Sequence, residues 1–103
     1  MTLVSNAFTA SSAPATGRIH IQVNPIDSIT INTDLTAEIS RDSGTTWTAA
    51  TLALTETLSD GTLAYEDNSM TISGQPSGTG MKYRIKTLNT KNIRIHGAVL
   101  QWA

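Results

Sequence analysis

Residues 81–102 read MKYRIKTLNTKNIRIHGAVLQW. Met81, Tyr83 and Ile85 alternate with Lys82, Arg84 and Lys86, and Ile93 and Ile95 alternate with Arg94 and His96, the period-two pattern of strands with one apolar and one wet face. Between them lies Asn89-Thr90-Lys91-Asn92. Asn side chains bond their own main chain and tolerate left-handed backbone, so the stretch predicts two strands joined by a hairpin turn. Pairing across that turn sets Lys86 opposite Arg94 and Arg84 opposite His96, and like charges facing each other destabilise a sheet unless an acid lies between them. The expectation is a cationic face made of Lys82, Arg84, Lys86, Arg94 and His96 that needs a partner. Past Gly97 the apolar positions shift from odd to even numbers at Ala98, Leu100 and Trp102, which predicts a β-bulge at the glycine.

The same alternation recurs upstream. Arg18 to Val23 places Ile19, Ile21 and Val23 on one face, and Asn24-Pro25 closes that strand. Ser28 to Asn32 reads as a further strand with Ile29 and Ile31 inward. Leu35 to Arg41 turns Leu35, Ala37 and Ile39 inward and Thr36, Glu38 and Ser40 outward. Leu52 to Leu58 reads as a strand ending at the Ser59-Asp60-Gly61 turn. Leu63 to Glu66 and Met70 to Ser73 read as two strands separated by the acidic Glu66-Asp67-Asn68, and Gly74 to Gly80 as a surface loop. Many short strands without helical periodicity indicate an all-β antiparallel sandwich or jelly roll over residues 17–103. Residues 1–16, with only Leu3, Val4 and Phe8 as large apolar anchors, form an extended arm lying along the domain's own sheet or a neighbouring subunit. Ile19, Ile21, Ile29, Ile31, Leu35, Ile39, Tyr83, Ile85, Ile93 and Ile95 are the expected core.

A chain of 103 residues forms one domain with a modest core. It has no cysteine, so no disulfide framework or thiolate metal site is available. Seven basic against eight acidic residues argue against a general nucleic-acid or membrane-surface role, so any electrostatic function is local. No apolar run is long enough for a membrane span, and the start lacks the basic and apolar regions of a signal peptide.

Ser40-Arg41-Asp42-Ser43-Gly44-Thr45-Thr46-Trp47 resembles the Asp-box, the S-x-D-x-G-x-x-W hairpin of sialidase-type propellers. Its chemistry is structural: the Asp accepts main-chain N–H groups, Gly44 supplies a positive φ and the indole packs under the turn. Ser40, Asp42, Gly44 and Trp47 are therefore assigned to a structural hairpin. A zinc site needs three or four converging ligands, and His20 and His96 are the only imidazoles, so none is expected. Asp60, Glu66 and Asp67, with Asn68, offer the oxygens for a calcium ion, against the simpler reading of a solvated acidic loop. Nothing nominates a nucleophile with its base or two facing carboxylates, and the expectation is a non-enzymatic chain without cofactor. The cationic face has three readings, as an ordinary solvated surface, as a subunit contact pairing with Glu38, Glu56 or Glu66, and as a seat for an anionic glycan. Trp47, Tyr65, Tyr83 and Trp102 are candidate sugar-stacking platforms.

From Leu3 to Trp102 the chain resembles a domain found at the C-terminal ends of tail fibre and related structural proteins of environmental, largely marine, bacteriophages. LVSNAFTA, SITINTDLTAEISRDSGTTWT and SGQPSGTGMKYRIKTLNTKNIRIHGAVLQW carry the resemblance. It implies a virion component, made soluble in the host cytoplasm and displayed at a fibre tip or on the particle surface. It also implies a homotrimer in contact with other virion proteins, for which the preferred reading is recognition of a host surface polysaccharide; the near-neutral charge argues against a nucleic-acid or membrane partner. Beginning at its own Met, the chain is read as an excised terminal domain or a free-standing virion protein. The alternatives are a capsid decoration or cement protein, and a carbohydrate-binding module of a cell-wall- or capsule-degrading enzyme.

Overall fold

A computed structural model describes all 103 residues. Two antiparallel sheets pack face to face as a β-sandwich without helix. The strands are β1 (Thr2–Val4), β2 (Phe8–Thr9), β3 (Thr16–Pro25), β4 (Leu35–Ser40), β5 (Thr48–Ala49), β6 (Ala53–Thr57), β7 (Leu63–Thr71), β8 (Gly80–Thr87) and β9 (Ile93–Trp102). The first sheet runs β1-β8-β4-β5, with β2 also on β8, and the second runs β6-β7-β3-β9. Alternate residues of β3, β4 and β8 meet between the sheets, where Ile19, Ile21, Val23, Leu35, Ala37, Ile39, Met81 and Ile85 are fully buried with Ile72 from the loop after β7. Ile93 is buried too, while Ile29, Ile31, Tyr83 and Ile95 pack against this core only partly buried.

The decisive stretch is two strands, as its alternation predicts, but not a hairpin. β8 has no free edge for β9, because β4 occupies one side over Lys82–Thr87 and β1 and β2 occupy the other. The chain instead crosses to the second sheet and β9 pairs with β3. Asn89 and Thr90 both take positive φ, and the crossing is tied down by Asn92, whose N–H donates to Asp27 and whose carbonyl accepts the N–H groups of Ile26 and Asp27. Lys86 therefore does not face Arg94, nor Arg84 His96. Across from Arg84 stands Glu38, the opposite charge that the expected pairing lacked.

Other expectations need correcting. Residues 28–32 form no strand; Ile31 makes only an isolated bridge to Leu35, and Asp34 closes the segment by accepting the Thr30 N–H at 2.8 Å and the Asn89 amide at 2.7 Å. Glu66, Asp67 and Asn68 do not separate two strands but lie inside β7, where the register with β3 slips between Gly17 and Ile19. Ser40 is buried, not outward, because its hydroxyl is consumed by the turn that follows. The arm lies along the domain's own sheet as β1 and β2. The bulge at Gly97 is present: Gln22 faces Gly97 and Val23 faces Ile95, leaving His96 as the extra residue.

Candidate functional site

The outer face of the first sheet gathers the polar side chains of β4 and β8. Parity sends Lys82, Arg84 and Lys86 outward while Met81 and Ile85 are buried, and it sends Glu38 outward between buried Ala37 and Ile39. The β4–β8 register then sets Glu38 beside Arg84. Arg84 grips Glu38 in a two-pronged pair, Nε to Oε1 at 2.9 Å and Nη2 to Oε2 at 2.7 Å. Lys86 Nζ approaches the same carboxylate at 3.6 Å. The hydrogen bond from Arg84 is the main reason the Glu38 carboxyl is held below its usual range, against the opposing effect of burial. Arg84 Cζ also lies 4.3 Å from the centroid of the Trp47 ring, within cation–π distance. Two cations thus share one carboxylate, one of them resting on an indole, while Lys82 takes part in no ion pair.

Trp47 is placed by the turn between β4 and β5. Ser40 Oγ accepts the Gly44 N–H at 2.9 Å and lies 2.6 Å from Asp42 Oδ1, which accepts the Thr46 N–H at 2.8 Å. Burial pushes the Asp42 carboxyl upward, but these bonds outweigh it and bring its pKa down to about 2. Gly44, at φ +91°, is required by both backbone and space, since a Cβ there would sit 3.3 Å from the indole and 3.5 Å from Lys82 Cδ. The four hairpin residues and three of the five expected cations therefore belong to one region.

Beneath the turn, Arg41 is buried with no carboxylate beside it. Its guanidinium donates to the carbonyls of Pro14 at 2.8 Å, Ser73 and Pro76 at 3.1 Å, and Gln75. Gln75, also buried, accepts the Arg41 N–H at 2.8 Å and donates to Ile39 O and Thr48 Oγ1. Gly78 passes so close that a Cβ would lie 2.5 Å from Arg41 O. Gln75, Pro76 and Gly78, from the last of the motifs quoted above, thus meet Arg41 in one polar knot beneath the turn that Ser40, Asp42 and Gly44 build.

The remaining candidates lie elsewhere. Arg94 and His96 are exposed on β9, in the other sheet. Glu66 pairs with Arg18 and lies 3.8 Å from His20. Asp67 accepts the N–H groups of Thr51 and Ser69, and Asp60 that of Thr62. No three His, Asp or Glu side chains converge into a metal-binding group; of the possible calcium ligands, Glu66, Asp67 and Asn68 line one surface depression and Asp60 lies outside it. Sequence reading missed Arg41, which carries no signal because its partners are main-chain carbonyls. It also missed that Glu38 is paired within its own subunit, which the outward parity of Glu38 hints at but only register reveals.

The geometry defines an antiparallel β-sandwich bearing a cationic, aromatic-backed outer face on a rigid turn. The chain matches no protein-family model, no curated protein and no solved structure. No helix is long and apolar enough to cross a membrane.

Proposed function

We propose that this chain is a bacteriophage virion structural protein, a fibre-terminal domain that recognises acidic host surface polysaccharide through the outer face of its first sheet. The virion part rests on the sequence resemblance. Recognition rests on one observation, the stacking of Arg84 on Trp47 between Lys82 and Lys86. Indole and guanidinium faces suit the apolar faces of sugar rings, and the flanking ammonium groups suit carboxylate or sulfate substituents. Glu38 already satisfies Arg84 and Lys86 within the subunit, so this face favours recognition over a ring of ion pairs between subunits.

The experiment is binding of the purified protein to immobilised alginate and dextran sulfate, with neutral dextran as control. Wild type and Arg94→Ala are expected to bind the acidic polymers alike, while Trp47→Ala and Lys82→Ala lose affinity about tenfold. Equal binding by all four, or binding to neutral dextran, refutes the recognition face. Gold-labelled virions then test placement: label at fibre tips supports the reading, and label spread over the capsid replaces it with a decoration protein.

A further inference from the structure

We infer that the C-terminal half of β9 pairs with its own copy in a second molecule, antiparallel and about a twofold axis at Leu100, extending the second sheet across a dimer. β9 is the long open edge of the sandwich. It has ten residues and only β3 beside it, whereas the first sheet's terminal strands β1, β2 and β5 have two or three. An open edge offers unpaired N–H and C=O groups to any extended chain, and natural sheets guard such edges with charges, bulges or brevity. The other end of the second sheet, β6, is guarded by Glu56 and a register slip next to it, and all five of its residues are exposed. The first half of β9 is guarded by Arg94, His96 and the bulge. From Ala98 to Trp102 there is no charge, proline or bulge.

That unguarded half borders an apolar cleft. Ala98, Leu100 and Trp102 face buried Ile21, Ile19 and Gly17 in register, so their side chains point to the sandwich interior. There they line a cleft of about 180 Å3 with Phe8 and Tyr83, all five lining residues being hydrophobic. Phe8 is 46% exposed and Val99, on the outer side, 50%. Here the space between the sheets is open to solvent at one flank.

The hydrogen-bonding parity fixes the register of an added strand, and the self-complementarity of this stretch in that register points to a second copy of it. Ala103 and Thr16 exchange both main-chain bonds, so in an antiparallel ladder the odd residues of this stretch bond to β3 and the even ones, Ala98, Leu100 and Trp102, turn their N–H and C=O groups to the free edge. A second β9 centred on Leu100 sets Leu100 against Leu100 and Ala98 against Trp102, with every outward-turned group in a bonded pair. The same register sets Val99 against Gln101 on the outer face. Inner side chains meet inner ones, no like charges face each other, and the contact is self-complementary, as a twofold interface must be. The paired strands also close the apolar flank beside Phe8. A contact of this kind sits at the small end of specific interfaces, on the order of 1,000 Å2, so association in the micromolar range is expected.

Light scattering of the full chain from about 1 to 500 µM tests this independently of any glycan, with melting curves confirming the fold of each variant. Wild type is expected to pass from monomer to dimer. Val99 and Gln101 are exposed in the monomer, so V99K/Q101K tests the contact at the surface by setting lysine against lysine twice across the axis. It is expected to weaken the dimer at least tenfold. V99K/Q101E sets lysine against glutamate in the same register and is expected to restore it to within about threefold of wild type. A wild-type chain that stays monomeric throughout, or forms a trimer, overturns the inference. So does a V99K/Q101K dimer as tight as wild type, and failure of the charge-swapped variant overturns the register.

Discussion

Arg41, just past the end of β4, and Arg84, on the neighbouring strand β8, do opposite things. Arg41 is buried and spends its guanidinium on four main-chain carbonyls, drawing the chain at Pro14 and the 73–76 loop onto the end of β4. Arg84 spends one edge on Glu38 and lays a flat face on Trp47, while part of its side chain stays in solvent. The same residue type thus closes one region and leaves another open. What differs is the acceptor: fixed carbonyls define a single geometry, whereas a carboxylate on the sheet surface can exchange its partner for water or a ligand.

If the knot is the structural region, it should show the largest loss. Arg41→Ala leaves its acceptor carbonyls without their donor and is expected to cost about 3–5 kcal/mol, a large fraction of the stability of a small domain, read as a fall in the urea midpoint. Arg41→Lys keeps the charge but not the planar fork, and should recover only part of this. A loss below about 1 kcal/mol for Arg41→Ala would erase the contrast with Arg84. Gly78→Ala probes the same knot through the backbone. A Cβ there meets the Arg41 carbonyl oxygen, which cannot swing aside as a side chain could, and the expected cost is about 1–3 kcal/mol. Gly74→Ala, where a Cβ meets nothing within 4 Å, is the control and should lie near zero.

This division was only half legible in the sequence. Alternation identified the strands at Arg18–Val23, Leu35–Arg41 and Met81–Lys86, the second ending one residue earlier at Ser40, and the phase change at Gly97 located the bulge. Period two reports which face a residue takes, however, and not which strand lies beside it. Lys86 and Arg94 were thus expected to face each other although β4 fills the place beside β8. Arg41 was invisible for a related reason: carbonyl acceptors belong to every residue, so the cage at 73–76 has no composition of its own. Ser40 and Asp42 were legible as a turn because their bonds are local. Glu38 could be placed on the outer face but not given its partner, which is 46 residues away.

The turn itself is expected to lose less than the knot. Asp42→Ala removes the acceptor for Thr46 and the partner of Ser40, and is expected to cost about 1 kcal/mol at neutral pH. The sign of its acid dependence follows from the depressed pKa. A carboxyl at 3.8 when unfolded and about 2 when folded stabilises the native state above the higher value and loses that contribution as pH falls towards the lower one. The stability of wild type should therefore fall more steeply between about pH 4 and 2 than that of Asp42→Asn. Glu38, also lowered, contributes with the same sign in both proteins and so drops out of the difference. Parallel acid profiles would show that Asp42 is no better bonded in the folded chain than in the unfolded one.

Where the proposed function lies, the expected effect on stability is also small beside that of the knot. The Arg84–Glu38 pair and Trp47 are part-buried; surface ion pairs contribute about 0–1 kcal/mol and a cation over an accessible ring about 0.5–1 kcal/mol, so Arg84→Ala should cost about 1–2 kcal/mol. A double-mutant cycle of Arg84→Ala with Trp47→Ala isolates the stacking from the ion pair, because Trp47 does not touch the Glu38 bonds in the hydrogen-bond network. Its coupling energy should be about 0.5–1 kcal/mol and insensitive to salt, while the cycle of Arg84→Ala with Glu38→Ala should shrink as salt rises. Both should be smaller than the loss on Arg41→Ala, whose buried guanidinium donates to four main-chain carbonyls. A coupling as large as that loss would mean that the Arg84 face is another piece of scaffold, and would remove the reason for reading the partly exposed Arg84–Trp47 pair as available to a ligand.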